Sequence, residues 1–151
     1  MRYWWINANP DREDKDGGPW SWITSIAKDG VEQWNAEKYD EDDVKGREGL
    51  RPNFNNVKIG DLVLGYNTNK EKKIVAKGRI VNHVHRPLGG DGRRVIDIIK
   101  TEDAKHPVSL QDLKNIPQLC QFTKSRALLG TIKEIHATQY KMLVDMMDKE
   151  E

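Results

Sequence analysis

From Lys73 to His85 the chain alternates as a strand does. Ile74, Ala76, Gly78, Ile80 and Val84 fall on one side, while Lys77, Arg79, His83 and His85 populate the other. Successive strand residues point to opposite faces, so a stretch this long needs a core beneath it and neighbouring strands beside it. The candidates are close at hand. Arg2 to Asn7 carries the β-formers Tyr3, Trp4, Trp5 and Ile6, and Asn9-Pro10 ends it. Asp61 to Tyr66 places Leu62, Leu64 and Tyr66 on one face before the turn Asn67-Thr68-Asn69, Val95 to Ile99 forms another strand, and Ser125 to Ile132 reads as a turn and then a short strand.

Helical signals are few. Pro19 opens a short helix to about Lys28, with Trp22, Ile23, Ile26 and Ala27 as its buried stripe and Asp29-Gly30 as its close. Ser109 is a cap for a helical turn reaching Leu113, and Tyr140, Leu143, Val144 and Met147 mark a terminal amphipathic helix. Residues 35–53, with the acidic run Asp40-Glu41-Asp42-Asp43, read as an excursion over the surface. Five to six short strands, a helix after the first and a helix at the end predict an α+β fold: a small, curved mixed β-barrel flanked by helices, closed so that no edge is left open. A length of 151 residues predicts one domain spanning 1–151.

Hydrophobic residues make up 36% of the chain and charged residues 32%. No apolar run approaches bilayer length and no signal peptide is visible, so a soluble cytoplasmic protein without a membrane partner is expected. The lone Cys120 excludes an internal disulfide and a cysteine zinc site, and its apolar surroundings predict a buried, inert thiol. His83 and His85 share a strand face but lack an evident third ligand, which favours surface residues over a metal site. Neither a nucleophile–base pair nor a phosphate-cradling glycine loop is present, so the expectation is a non-enzyme without metal or cofactor.

The net charge of +1 is low for a general binder of duplex nucleic acid, whose affinity comes from neutralising phosphates. If this chain binds nucleic acid, its positive charge is local or its grip is on a base. Arg86, Arg93 and Arg94 bracket the glycine-rich turn 87–92 and are the candidate phosphate contacts, with a plain solvated loop as the alternative. The aromatic bias is more telling: five tryptophans against two phenylalanines, all five at or before residue 34. An indole is awkward in a small core because its N–H wants a partner. Trp34-Asn35 joins a stacking ring to an amide in a polar stretch, the pairing that a flat heteroaromatic ligand requires. Tyr66, ending its strand, is a candidate second wall. Asn67 and Thr68 can serve the ligand's edge or simply make the turn, Asn7 can point into the same mouth or end its strand, and Trp20 can line the entrance. Trp22 reads as core, and at most one of Trp4 and Trp5, on opposite faces, reaches the site.

The sequence of Tyr-Trp-Trp start, Asp29-Gly30-Val31 with Trp34, Asn53-Phe54, Lys58-Ile59-Gly60-Asp61-Leu62-Val63-Leu64-Gly65-Tyr66, Val108-Ser109-Leu110 and Ile116-Pro117-Gln118-Leu119 resembles the EVE domain, a PUA-like family related to YTH domains. The resemblance covers almost the whole chain. It implies a pseudobarrel whose mouth receives one modified base, methylated or hydroxymethylated, from DNA or RNA after base flipping. A length of 151 residues leaves no room for a motor or nuclease beside this domain, so a separately encoded nuclease or motor subunit is the expected partner. An RNA-binding or protein-interaction module without modified-base specificity is the alternative. The chain departs from the family after Trp34, where many members continue with a glycine and an Arg-Asn-Tyr segment; here Asn35-Ala36-Glu37-Lys38-Tyr39 leads into acidic residues.

Overall fold

Leu62–Asn67 lies parallel to Tyr3–Ala8, and this pairing of two distant segments organises the sheet. The computed structural model describes residues 1–8, 21–35, 56–68, 72–86, 88–89, 94–123 and 132–148. Within them the strands are β1 (Tyr3–Ala8), β2 (Val31–Asn35), β3 (Leu62–Asn67), β4 (Lys73–His85), β5 (Val95–Ser109) and β6 (Ile132–Ile135). They form one mixed sheet in the order β2-β5-β4-β3-β1-β6, antiparallel except for β1 with β3. Helices α1 (Leu110–Leu113) and α2 (Ala137–Met147) complete the α+β architecture. Among the described residues no helix is long and apolar enough to cross a membrane.

The parallel register is fixed by one carboxylate. Gly60, at φ +96°, turns the chain in the left-handed region that glycine adopts freely, which sets Asp61 under the start of β1. Asp61 is buried and accepts from three N–H groups: the Arg2 amide at 3.1 Å, the Trp4 indole at 3.0 Å and the Lys58 amide at 2.9 Å. The Gly60-Asp61 pair of the sequence is therefore a structural clamp, and it aligns Tyr3 with Leu62.

Strand alternation divides the core in two. Trp4, Ile6 and Ala8 of β1, Val63 of β3, Val75, Ala76 and Ile80 of β4, Ile96 and Ile98 of β5 and Ile132 of β6 enter one cluster, against which Trp34 of β2 packs. All six strands feed that cluster, as a sheet curled around its concave face requires. Trp5, Leu64, Tyr66, Ile74 and Val108 join Leu113, Leu119, Leu143 and Met147 in the second cluster, on the convex face beneath the helices. β1 is covered on both faces, so it reads as a continuous apolar run. The pairings leave β2 and β6 as edges, so among the described residues the sheet is curled and not closed as expected.

Other expectations change as well. Residues 21–28 form turns instead of a helix. The Ser25 hydroxyl accepts from the Ser21 amide at 2.9 Å and the Ser21 hydroxyl accepts from the Ile23 amide at 3.1 Å, so side chains take backbone bonds that a helix would use. Trp22 and Ile26 are buried, but Ile23 and Ala27 are exposed, and the φ of +64° that ends the segment belongs to Asp29. β4 keeps its predicted bounds, but irregular register between Ile74 and Ala76 turns Ile74 to the convex face, away from Ala76. Lys77 is buried and holds Glu102 at 2.6 Å and Asp148, just past α2, at 2.9 Å. β5 runs ten residues beyond Ile99, to Ser109. There the cap is as expected: the Ser109 hydroxyl accepts from the Asp112 amide at 3.2 Å, and Asp112 accepts from the Ser109 amide at 3.0 Å. Cys120 is half-buried, its thiol 3.4 Å from the Pro117 carbonyl. The acidic run 40–43 and the turn before β6 lie outside the described residues.

Candidate nucleic-acid interface

Trp22 is the centre of the concave face. Its indole N–H donates to the Ile6 carbonyl at 3.2 Å, its amide donates to Asn67 Oδ1 at 3.1 Å, and its carbonyl accepts from Lys100 Nζ at 2.8 Å. Gly65 makes room for the ring: a Cβ there would fall 2.3 Å from Trp22 Cδ2. Trp34 stacks on this fixed ring, with 5.0 Å between centroids and 24° between planes. Trp22 is fully buried, whereas Trp34 is half-buried on edge strand β2. The result is an indole held by a second indole that is itself tied to β1, β3 and β5, a preorganised platform at the rim of the concave face.

The predicted site residues do not all meet there. Tyr66 is buried in the convex cluster, tilted against Trp5 at 5.0 Å between centroids, so it faces away from Trp34 and the expected sandwich of the two rings is not formed. The reason is strand alternation: Gly65 faces Trp22, so its neighbour Tyr66 faces the other way. Burial pushes the Tyr66 phenol up to about 12. Asn7 lies across from Tyr66, and its Oδ1 accepts from the Trp5 indole at 2.9 Å. Asn67 is fully buried and belongs to β3, not to a turn; its Nδ2 donates to the Ser21 hydroxyl at 3.1 Å, completing its hold on the Trp22 segment. Thr68 follows it, its amide bonded to the Ala8 carbonyl at 2.8 Å. Asn67 pairs with Lys73 at the start of β4, which places Asn7, Asn67 and Thr68 at one end of the sheet.

Trp34 belongs to the other end. Val95 pairs with Asn35 on one side and His85 on the other, so Arg86 and Arg94 sit one residue beyond the row that Trp34 precedes by one. Arg86 is exposed and Arg94 half-buried. Ring and cations thus share an end of the sheet. Trp20, Arg93 and the Asn35 side chain lie outside the described residues. His85 directs Nδ1 to the His83 carbonyl at 2.8 Å and Nε2 toward Asp97 at 3.6 Å, and among the described residues no group of three metal-ligating side chains occurs.

Two participants were not anticipated. Lys100 continues the row Ile96, Ile98 by period two, and a lysine in an apolar row was the signal that it serves something buried. Glu32 lies two residues before Trp34, on the same face of β2 by alternation. It is half-buried, and burial raises its carboxyl above the ordinary glutamate value. It was missed because β2 itself was missed.

Comparison with solved structures gives the same fold at low identity. A protein of Rhodopseudomonas palustris superposes with TM-score 0.73 at 20% identity, covering 97% of this chain and 93% of its own. A protein of Agrobacterium tumefaciens gives 0.71 at 22%, with both chains covered in full. Human THYN1, solved in complex with DNA containing 5-methylcytosine, gives 0.73 at 15%, again with both chains covered in full. A search of curated proteins finds no match. The EVE domain model matches residues 2–146. The family model covers nearly all the chain and the mixed sheet agrees with the fold of the solved relatives: this protein belongs to the EVE domain family, with its PUA-like fold.

Proposed function

We propose that this EVE domain is a binding module for nucleic acid carrying a modified base, and that the base leaves its stack to lie against Trp34. The observation that carries the reading is the half-buried indole of Trp34 stacked at 5.0 Å on an indole fixed from three strands. Stacking on an aromatic ring contributes about 1–3 kcal/mol per base, comparable to the few kcal/mol that extrusion from a duplex costs. That Arg86 and Arg94 share an end of the sheet with Trp34 supports a reading in which they hold flanking phosphates, in keeping with a net charge too small for backbone binding alone. The complex of the fold relative THYN1 with 5-methylcytosine DNA supports methylated cytosine as the first candidate. Burying one methyl contributes only about 0.8 kcal/mol, so discrimination also needs hydrogen bonds to the base's edge. Any cutting or remodelling would fall to a separately encoded nuclease or motor.

The test is a fluorescence titration with DNA and RNA oligonucleotides carrying 5-methylcytosine, 5-hydroxymethylcytosine, N6-methyladenine or no modification. One modified set should bind more tightly and quench tryptophan emission. Equal binding across the panel would remove the modified-base reading and leave a general nucleic-acid module.

A further inference from the structure

A buried ammonium is expensive where an aliphatic side chain would pack, so its presence calls for a reason. Lys100 is 1% exposed, and alternation along β5 puts it on the concave side with Ile96 and Ile98. Its Nζ donates to the Trp22 carbonyl at 2.8 Å and to Asp103 Oδ1 at 2.6 Å. Its backbone meets the far end of the same segment. The Lys100 amide donates to the Gly30 carbonyl at 3.0 Å, and the Lys100 carbonyl accepts from the Asp29 amide at 2.7 Å. Residues 22–30 are thus fastened to Lys100 at both ends. Trp22 opens that segment, and β2, which carries Trp34, continues from its close. Both indoles of the stack hang from one residue.

We propose that Lys100 is the positioning residue of the base platform: its ammonium fixes where the Trp22 ring stands, and with it the angle at which Trp34 meets a base. The proposal rests on the base-binding reading above. Stability does not account for the charge. Exchanging a buried charged pair for apolar packing is often neutral or stabilising, and the half-exposed Asp103 carboxylate returns to water when the lysine is removed. Phosphate binding does not account for it either, because an ammonium this deeply buried does not reach a nucleic-acid backbone. What it supplies is direction, a hydrogen bond aimed at one carbonyl where an aliphatic chain would let the segment slide. A ring already held in place need not be ordered when the base arrives.

Lys100→Met tests this, since it keeps a long unbranched stem and lacks the ammonium. Two stacked indoles couple their electronic transitions and give a paired far-ultraviolet circular dichroism signal, which reports the stack without any ligand. Trp34→Phe supplies the baseline without the pair. In Lys100→Met the paired signal should weaken toward that baseline while the melting temperature changes little. Affinity for the preferred oligonucleotide should fall about fivefold or more, the lower end of what one stacking contact contributes. The dependence of affinity on salt should keep its native slope, whereas loss of a phosphate contact would lessen it. A folded Lys100→Met protein that retains either the native paired signal or the native affinity overturns the proposal. So does one with a reduced salt slope, and so does one that fails to fold, because the lysine would then serve the fold and not the platform. A native protein that binds none of the oligonucleotide panel overturns the base-binding reading instead, and the paired signal still decides whether Lys100 sets the stack.

Discussion

Gly65 and Trp22 compete for one space: a Cβ on residue 65 would sit 2.3 Å from the Trp22 ring. The backbone of β3 is therefore the floor on which the Trp22–Trp34 stack is built. Gly65→Ala should force the indole off that floor. Overpacking of this kind costs about 1–3 kcal/mol. A denaturant titration should show that loss, and the same variant should lose oligonucleotide affinity although residue 65 lies beneath the platform and not on it.

Trp34→Ala should separate binding from folding. The ring is half-buried on an edge strand, and an aromatic pair contributes about 0.5–1.5 kcal/mol beyond its buried area. The melting temperature should drop modestly, while affinity for the preferred oligonucleotide falls by roughly 5- to 150-fold, matching the loss of about 1–3 kcal/mol of stacking. Unchanged affinity in a folded variant would remove Trp34 from the site.

Asp61→Ala should do the reverse. It strands the buried Trp4 indole and frees the part-buried Arg2 and Lys58 amides, and a buried donor left unsatisfied costs about 1–3 kcal/mol. Stability should fall by about 1–3 kcal/mol, read from the urea midpoint. At temperatures where the variant remains folded, the preference among modified bases should be unchanged.

Alkaline pH should unfold the protein through its convex face. Burial lifts the Tyr66 phenol from 10.0 to about 12 and raises Tyr140 as well. Burial works to lower Lys77, but its hydrogen bonds to Glu102 and Asp148 outweigh that and hold it above the ordinary lysine value. All three folded-state values exceed the unfolded ones, so the stability they contribute is complete below pH 10.0 and is lost progressively toward pH 12. Tyr66→Phe should lessen the decline in that window with little effect at neutral pH, as followed by circular dichroism.

What could be read from the sequence follows from where each signal was local. The bounds of β4 were legible because alternation and turn residues agree over its whole length. β2 was not, because Glu32, Gln33 and Asn35 are poor strand formers, and an edge strand facing solvent tolerates them. The segment holding Trp22 has helical spacing, yet two serine hydroxyls capture its amides. Trp34 was legible as a candidate from its chemistry. Its true neighbour Trp22 was not, because that ring comes from the turn segment 21–28 laid over the inner face of the sheet, a relation that the pattern within either segment does not encode. Tyr66 misled for the converse reason: alternation was read correctly within its strand, but which face met the site depended on Gly65.

The position of β1 between β3 and β6 has a consequence for biogenesis. Tyr3 lies between Leu62 and Ile135, so β1 remains half-paired during synthesis until residues 132–135 emerge. Contacts so far apart in sequence slow folding and prolong the exposure of Trp4 and Trp5 to solvent or to a chaperone. Variants that weaken β6 should therefore show themselves first as poor yield during expression, before any defect in the finished protein is measurable.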